Sequence, residues 1–193
     1  MDATVIVATF GDPKWVALAK DRAVPSAESQ GVPVIQYHGD TLAQARNFAA
    51  SQADTEWLCF LDADDELAPG YFRAMERSSA DLRAPSVSWV TDGVASEPQS
   101  LAGRNIRVMN PCVIGTLIRK DMFDNVGGFW EERAYEDWSL FRRAWLRGAR
   151  VGHVNDAVYI VHVSPNSRNN SIEDPMGLCR EIKMSHKLWR WGR

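Results

Sequence analysis

Apolar residues fall into two kinds of run along the 193-residue chain. Unbroken short runs rich in β-branched or aromatic side chains suit strands buried on both faces, whereas apolar residues spaced three and four apart suit one buried helix face. Residues 4–9 are of the first kind and predict a central strand ending at Phe10-Gly11. Asp12 and Pro13 then read as cap and first residue of a helix fading over residues 26–31. A second strand is expected over 32–37. A helix follows over 41–53, capped by Asp40 or Thr41, with Leu42, Ala45, Phe48 and Ala49 on one stripe. Residues 57–61 form a third strand that runs directly into Asp62-Ala63-Asp64-Asp65-Glu66, and Ala68-Pro69 opens a helix turning Tyr71, Phe72 and Met75 inward.

The second half is less regular. Strands are expected over 86–90, 106–109 and 113–118, with a polar surface loop over 92–104. A short helix over 120–125 leads to Gly127-Gly128-Phe129, and a longer one over 136–147 is stopped by Gly148 acting as a left-handed cap. Two last strands, 150–154 and 157–163, precede a loop over 164–170 and a helical tail over 176–193. Strands alternating with helices predict an α/β fold, and the chain length predicts a single domain.

Composition changes this picture little. The 22 basic and 25 acidic residues give a net charge of -3, so no global basic field points to nucleic acid. The start lacks a basic leader and a cleavage site, and no window approaches the ~18 apolar residues of a membrane span, so a cytoplasmic protein is expected. Cys59, Cys112 and Cys179 have unrelated spacings and read as reduced thiols.

The strongest chemical signal is the group of four acids over 62–66 at the carboxyl end of a buried strand, the edge where ligands of open sheets collect. Crowded carboxylates repel one another, and Mg²⁺ or Mn²⁺ relieves that repulsion using carboxylate and diphosphate oxygens. The competing reading is a solvated helix cap, a role that Asp65 and Glu66 suit best. An EF-hand loop is excluded by Leu67 where Gly is needed, and a phosphatase loop by Glu66 where Thr or Val is needed.

Ala8-Thr9-Phe10-Gly11, Ala45-Arg46-Asn47 and Leu61-Asp62-Ala63-Asp64-Asp65 resemble, in order, the N-terminal half of the inverting GT-A glycosyltransferases of family 2. Cys112-Val113-Ile114-Gly115, Ile118-Arg119-Lys120-Asp121, Val126-Gly127-Gly128-Phe129 and Glu136-Asp137-Trp138 resemble its acceptor-side segment. The likeness implies a GT-A, Rossmann-like single domain with a mixed, mostly parallel sheet flanked by helices. Residues 1–90 would form the nucleotide-sugar half, 91–163 the acceptor half, and 164–193 a flexible loop and basic helix. The family's D-D-G-S strand end is missing, and its base contact transfers to Asp40.

By this resemblance the chain is a metal-dependent enzyme using a nucleotide-sugar, most often a UDP-sugar, with GDP- and dTDP-sugars as further options. Asp64 ligates Mn²⁺ or Mg²⁺, Asp62 lies nearer the ribose, Ala63 sits between them in the turn, and Thr9 and Phe10 line the base pocket. Arg46 suits a base carbonyl or a phosphate, or lies along its helix surface. Asp137 is the candidate general base, while Gly128, Glu136 and Trp138 fall on the acceptor side, although Trp138 at helical spacing also reads as core. His162 at the last strand end is a second candidate metal ligand, and Arg168 in the following loop a lid over the diphosphate. The acceptor is open between protein, polysaccharide, lipid-linked and modified nucleic-acid hydroxyls. The tail, with Met184, Leu188 and Trp191 at helical spacing, packs on the domain, docks on an anionic membrane or meets a polyanion. Two other functions compete: a nucleotidylyltransferase, which lacks its Gly-rich basic loop here, and a binding module without chemistry.

Overall fold

The computed structural model describes residues 1–164 and 172–191. Eight strands form one sheet in the order β2 (Val34–Gly39), β1 (Ala3–Phe10), β3 (Trp57–Leu61), β7 (Leu117–Arg119), β5 (Leu82–Thr91), β8 (Val151–His162), β4 (Glu66–Leu67), with β6 (Val94–Ala95) beside β5. β1 pairs parallel to β2 and β3, and β5 parallel to β8, whereas the short β7, β4 and β6 pair antiparallel. All five longer strands therefore point the same way. Their carboxyl ends deliver Phe10, Gly39, Leu61 and His162 to one edge of the sheet.

The buried strands are those whose sequences are apolar throughout. Val5, Ile6 and Val7 of β1 and all of β3 are buried, and Phe60 meets Phe129 edge-on at 4.8 Å between centroids. Helices α1 (Lys14–Asp21), α2 (Ala23–Glu28), α3 (Leu42–Ser51), α4 (Tyr71–Met75), α5 (Lys120–Asn125), α6 (Glu136–Leu146) and α7 (Pro175–Trp191) flank the sheet. Thr41 caps α3 by accepting from the Gln44 N–H at 3.1 Å. α6 ends as expected, in a Schellman motif: Gly148 has φ +97, its N–H bonds to Trp145 O, and that of Ala149 bonds to Ala144 O.

Five expectations are corrected. The first helix breaks at Arg22, whose φ of −127 and ψ of −71 are not helical, giving α1 and α2. Residues 92–104 include a hairpin: Asp92 and Gly93 both have positive φ, the two-residue turn that joins β5 to β6. Residues 106–109 are a turn rather than a strand, and only Leu117–Arg119 of the next expected strand pairs. The last two strands are one. Pro85 in central β5 has no N–H to give its neighbour, and beside it the β8 register jumps from Val154 to Val158. That bulge carries β8 on to His162 without ending it. Finally, the apolar phase of two helices differs: Phe48 is 45% exposed and covers Tyr37 at 4.3 Å, and α7 buries Leu178, Ile182 and His186 while Met184 is exposed. Among the described residues no helix is long and apolar enough to cross a membrane, and all three cysteines are free.

Candidate active site

The acids of residues 62–66 follow β3 without a helix to receive them. Instead Glu66–Leu67 pairs with Tyr159–Ile160, so the acidic turn is held between two strands of the sheet. Exposure alternates along it: Asp62, Asp64 and Glu66 are partly exposed, Ala63 and Asp65 buried. The Tyr159 hydroxyl organises the turn by accepting the Asp62 N–H at 3.3 Å and donating to Asp65 Oδ2 at 2.9 Å. The His162 N–H donates to Asp65 Oδ1 at 2.9 Å. Asp65 is thus no solvated cap. Burial, then the charges of Asp62 and Asp64, raise its carboxyl well above the ordinary range. Gly115 makes room for this arrangement, since a Cβ there would meet the Tyr159 ring at 2.2 Å.

Arg46 is buried, not lying along its helix surface, and it ties the acidic turn to α6. Its Nη2 donates to Asp62 Oδ1 at 2.6 Å and its Nη1 to Glu136 Oε1 at 2.9 Å, with the guanidinium 4.8 Å from the Phe129 ring centroid. Burial alone would lower its pKa, but Asp62 and Glu136 outweigh that and raise it. The next residue, Asn47, grips Phe129 from both sides, donating to its carbonyl at 2.9 Å and accepting its N–H at 2.8 Å. Gly128 lies against this clamp with φ +61, and a Cβ would come within 2.5 Å of Asn47 Oδ1. Arg143 of α6 donates to the carbonyls of Val126 and Gly128. Gly128 is therefore a buried backbone position in this scaffold.

Glu136 and Asp137 open α6, and Tyr135 before them takes the left-handed conformation with φ +60. Burial, then the neighbouring Glu136 charge, lift the Asp137 carboxyl to about 7. Its Oδ1 accepts the Trp138 N–H at 2.7 Å and its Oδ2 the Asn110 amide at 2.8 Å. Asn110 was missed in the sequence because its segment reads there as a strand end and loop. Trp138 is 2% exposed and donates from Nε1 to Ile106 O, so it is a core residue and offers no face to a sugar.

The remaining candidates divide between cleft and scaffold. A cavity of about 290 Å³ opens at the carboxyl edge, lined by Phe10, Asp40, Thr41, Trp130 and Glu136 among others. Thr9 lies just beneath, 5% exposed, with its hydroxyl 3.0 Å from His38 Nδ1. Asp64 is partly exposed, and burial, then Asp62, raise its carboxyl. The His162 Nε2 is engaged by Glu66 Oε1 at 2.7 Å. Among the described residues no three His, Cys, Asp or Glu side chains gather as a metal-holding group. Arg168 lies outside the described residues.

A mixed sheet of this order with an acidic turn at its carboxyl edge is the GT-A glycosyltransferase fold. Residues 16–147 match the family described as glycosyl transferase family 2, and the chain belongs to that family. No curated protein sequence matches it. It is similar to S. aureus TarS 1–349 in complex with UDP-GlcNAc, at 18% identity and a TM-score of 0.66, over 94% of this chain and 65% of that one. The UDP complex of the same fragment gives 19% and 0.65 over 97% and 66%. S. aureus TarS gives 20% and 0.65 over 94% and 39%. The chain thus spans less than two thirds of the TarS chain matched first, and the likeness at this identity is one of fold.

Proposed function

We propose that the chain transfers a sugar from a nucleoside diphosphate sugar to an acceptor hydroxyl with inversion, Asp137 acting as general base. The observation that supports this reading is the Arg46 bridge, which joins the acidic turn at Asp62 to Glu136, the neighbour of Asp137 in the first turn of α6. A UDP-sugar donor is favoured because the similar TarS fold is known bound to UDP-GlcNAc and to UDP. In the proposed reaction the Asp137 carboxylate accepts the hydroxyl proton as the acceptor oxygen attacks the anomeric carbon. The bond from that carbon to the diphosphate breaks on the opposite face, and the diphosphate leaves with the electron pair. A base near neutral pH suits the step, and such catalysis contributes roughly 10²- to 10⁴-fold.

The residues at the edge fit a divalent cation, Mn²⁺ or Mg²⁺, of the kind that takes one or two carboxylates and completes its shell with substrate oxygens and water. Asp64 is the proposed ligand: burial, then the charge of Asp62, raises its carboxyl, and a cation would relieve that crowding. His162 would join through Nε2 only by leaving Glu66. When bound, the ion supplies charge compensation for the leaving diphosphate. Phe10 and Asp40, at the mouth of the cavity, are proposed to receive the base.

The test is nucleotide release from a panel of nucleotide-sugars including UDP-GlcNAc, with Mn²⁺, for wild type, Asp137→Asn and Asp64→Asn. Release by wild type alone is the expected result. Equal release by wild type and Asp137→Asn, or none from any donor, would sink the proposal.

A further inference from the structure

The segment from Arg104 to Cys112 crosses the first turn of α6 as a strap with no regular structure beyond its turns, tied there to Asp137 and Trp138 and elsewhere to β8. Ile106 O accepts from Trp138 Nε1 at 2.9 Å, and Pro111 O is 2.9 Å from His153 Nε2 on β8. Between them Asn110 reaches Asp137 Oδ2 with its amide nitrogen at 2.8 Å. The amide cannot be turned round. Its oxygen accepts the Cys112 N–H at 3.1 Å, so a flip would set oxygen against carboxylate and NH₂ against N–H. The backbone is tied as well, with Asn110 O accepting from Arg104 Nη1 at 3.3 Å.

We propose that Asn110 is a positioning residue, whose directed amide N–H holds the Asp137 carboxylate in the orientation that receives the acceptor's proton. The inference rests on Asp137 being the base. One carboxylate oxygen is already committed to the Trp138 N–H of its own helix, which fixes only one end of the group. Asn110 fixes the other from a different element, and each oxygen keeps a lone pair for a proton. The bond also favours the ionised form against burial and against the Glu136 charge. The other groups acting on Asp137 are Arg46 of α3 and Asp62 after β3, and Cys112 and Tyr135 lie close enough to feel its charge. None of these donates a hydrogen bond to the Asp137 oxygens among the described contacts.

The test compares wild type, Asn110→Ala and the isosteric Asn110→Asp by ¹³C NMR titration of the Asp137 carboxyl, assigned with Asp137→Asn, and by the pH dependence of kcat and KM for nucleotide release. The Asp137 midpoint is expected to rise by about one unit in Asn110→Ala, the equivalent of one lost charge-assisted hydrogen bond, and further in Asn110→Asp. kcat at pH 7 should fall about tenfold with the acid limb of the profile displaced in step, while the KM for donor stays unchanged. Asn110→Asp also sets a second carboxylate against Asp137, so if Asn110→Ala fails to fold, Asn110→Leu, of similar volume and with neither donor nor charge, is read in its place with the same rise of about one unit expected. An unmoved Asp137 titration refutes the role of Asn110 even where Asp137→Asn is inactive. An active Asp137→Asn with a moved titration instead refutes the base assignment in the proposed function.

Discussion

Replacing Asp137 with Asn should make the protein more stable and less active, and the stability gain should depend on pH in a defined way. In the folded state the carboxyl titrates near 7, against an ordinary value of 3.8. Below 3.8 both states hold the proton and the group contributes nothing to the pH dependence. Between the two values the unfolded chain releases its proton while the folded one keeps it, so wild-type stability falls as pH rises. Above 7 both are ionised and the loss is complete. Roughly three pKa units at 1.36 kcal/mol each put the final cost at about 4 kcal/mol. Asn does not titrate, so the difference between variant and wild type should widen by about 1.4 kcal/mol per pH unit from pH 4 to 7 and then level off. An Asn amide can accept from only one of Trp138 N–H and Asn110, which adds a penalty, but one independent of pH. Urea unfolding followed by tryptophan fluorescence at pH 5, 6, 7 and 8 measures the difference directly, and other titrating groups cancel in it. A gap that is constant across those pH values would refute the assignment of a raised Asp137, whatever the activity shows. Nucleotide release by the variant should meanwhile fall ~10²- to 10⁴-fold at pH 8, where the wild-type carboxyl is ionised, and by less toward pH 5.

Two further changes probe the scaffold. Arg46→Met leaves the partly exposed Asp62 and Glu136 without their shared cation, and losing these charge-assisted hydrogen bonds while solvent still reaches the acids costs about 1–3 kcal/mol, readable as a lower urea midpoint together with lost release. An unchanged midpoint would mean the bridge contributes no stability. Gly128→Ala drives a Cβ to 2.5 Å from Asn47 Oδ1 in a left-handed conformation, and a loss of roughly 1–3 kcal/mol in thermal or urea unfolding is expected, with Gly127→Ala smaller because its nearest neighbour is 3.8 Å away. Equal effects at the two positions would remove the clamp as the cause.

Local signals in the sequence carried the elements that local physics decides. The apolar runs of β1 and β3, Thr41 capping α3 and Gly148 ending α6 all depend on neighbours within a few residues, and each is present at its expected place. Asp62, Asp64 and Asp137 were visible as acids at element ends, although their roles rest on experiment. What stayed hidden depends on partners far along the chain. Asp65 reads as a solvated cap until Tyr159 and His162, more than 90 residues later, enclose it. The bulge in β8 answers a proline in β5, and neither sequence alone signals it. Asn110 carries no pattern at all, since a single amide in a polar loop gains meaning only from the carboxylate across from it. Phe48 and Met184 sat at helical spacing with apolar neighbours, but the faces their helices bury are set by the sheet and by α6.

The crowding of acids at the carboxyl edge also governs how fast a ligand can arrive. Asp62, Asp64, Asp65, Glu66, Glu136 and Asp137 outnumber the guanidiniums set among them, Arg22 and Arg46. A diphosphate is itself an anion, so in the absence of a cation its approach runs uphill in the local potential. Added salt would then screen repulsion and quicken association, the reverse of its effect on a basic cleft. A divalent ion held at Asp64, as proposed, would reduce that excess of negative charge, and both the repulsion and its dependence on salt would weaken.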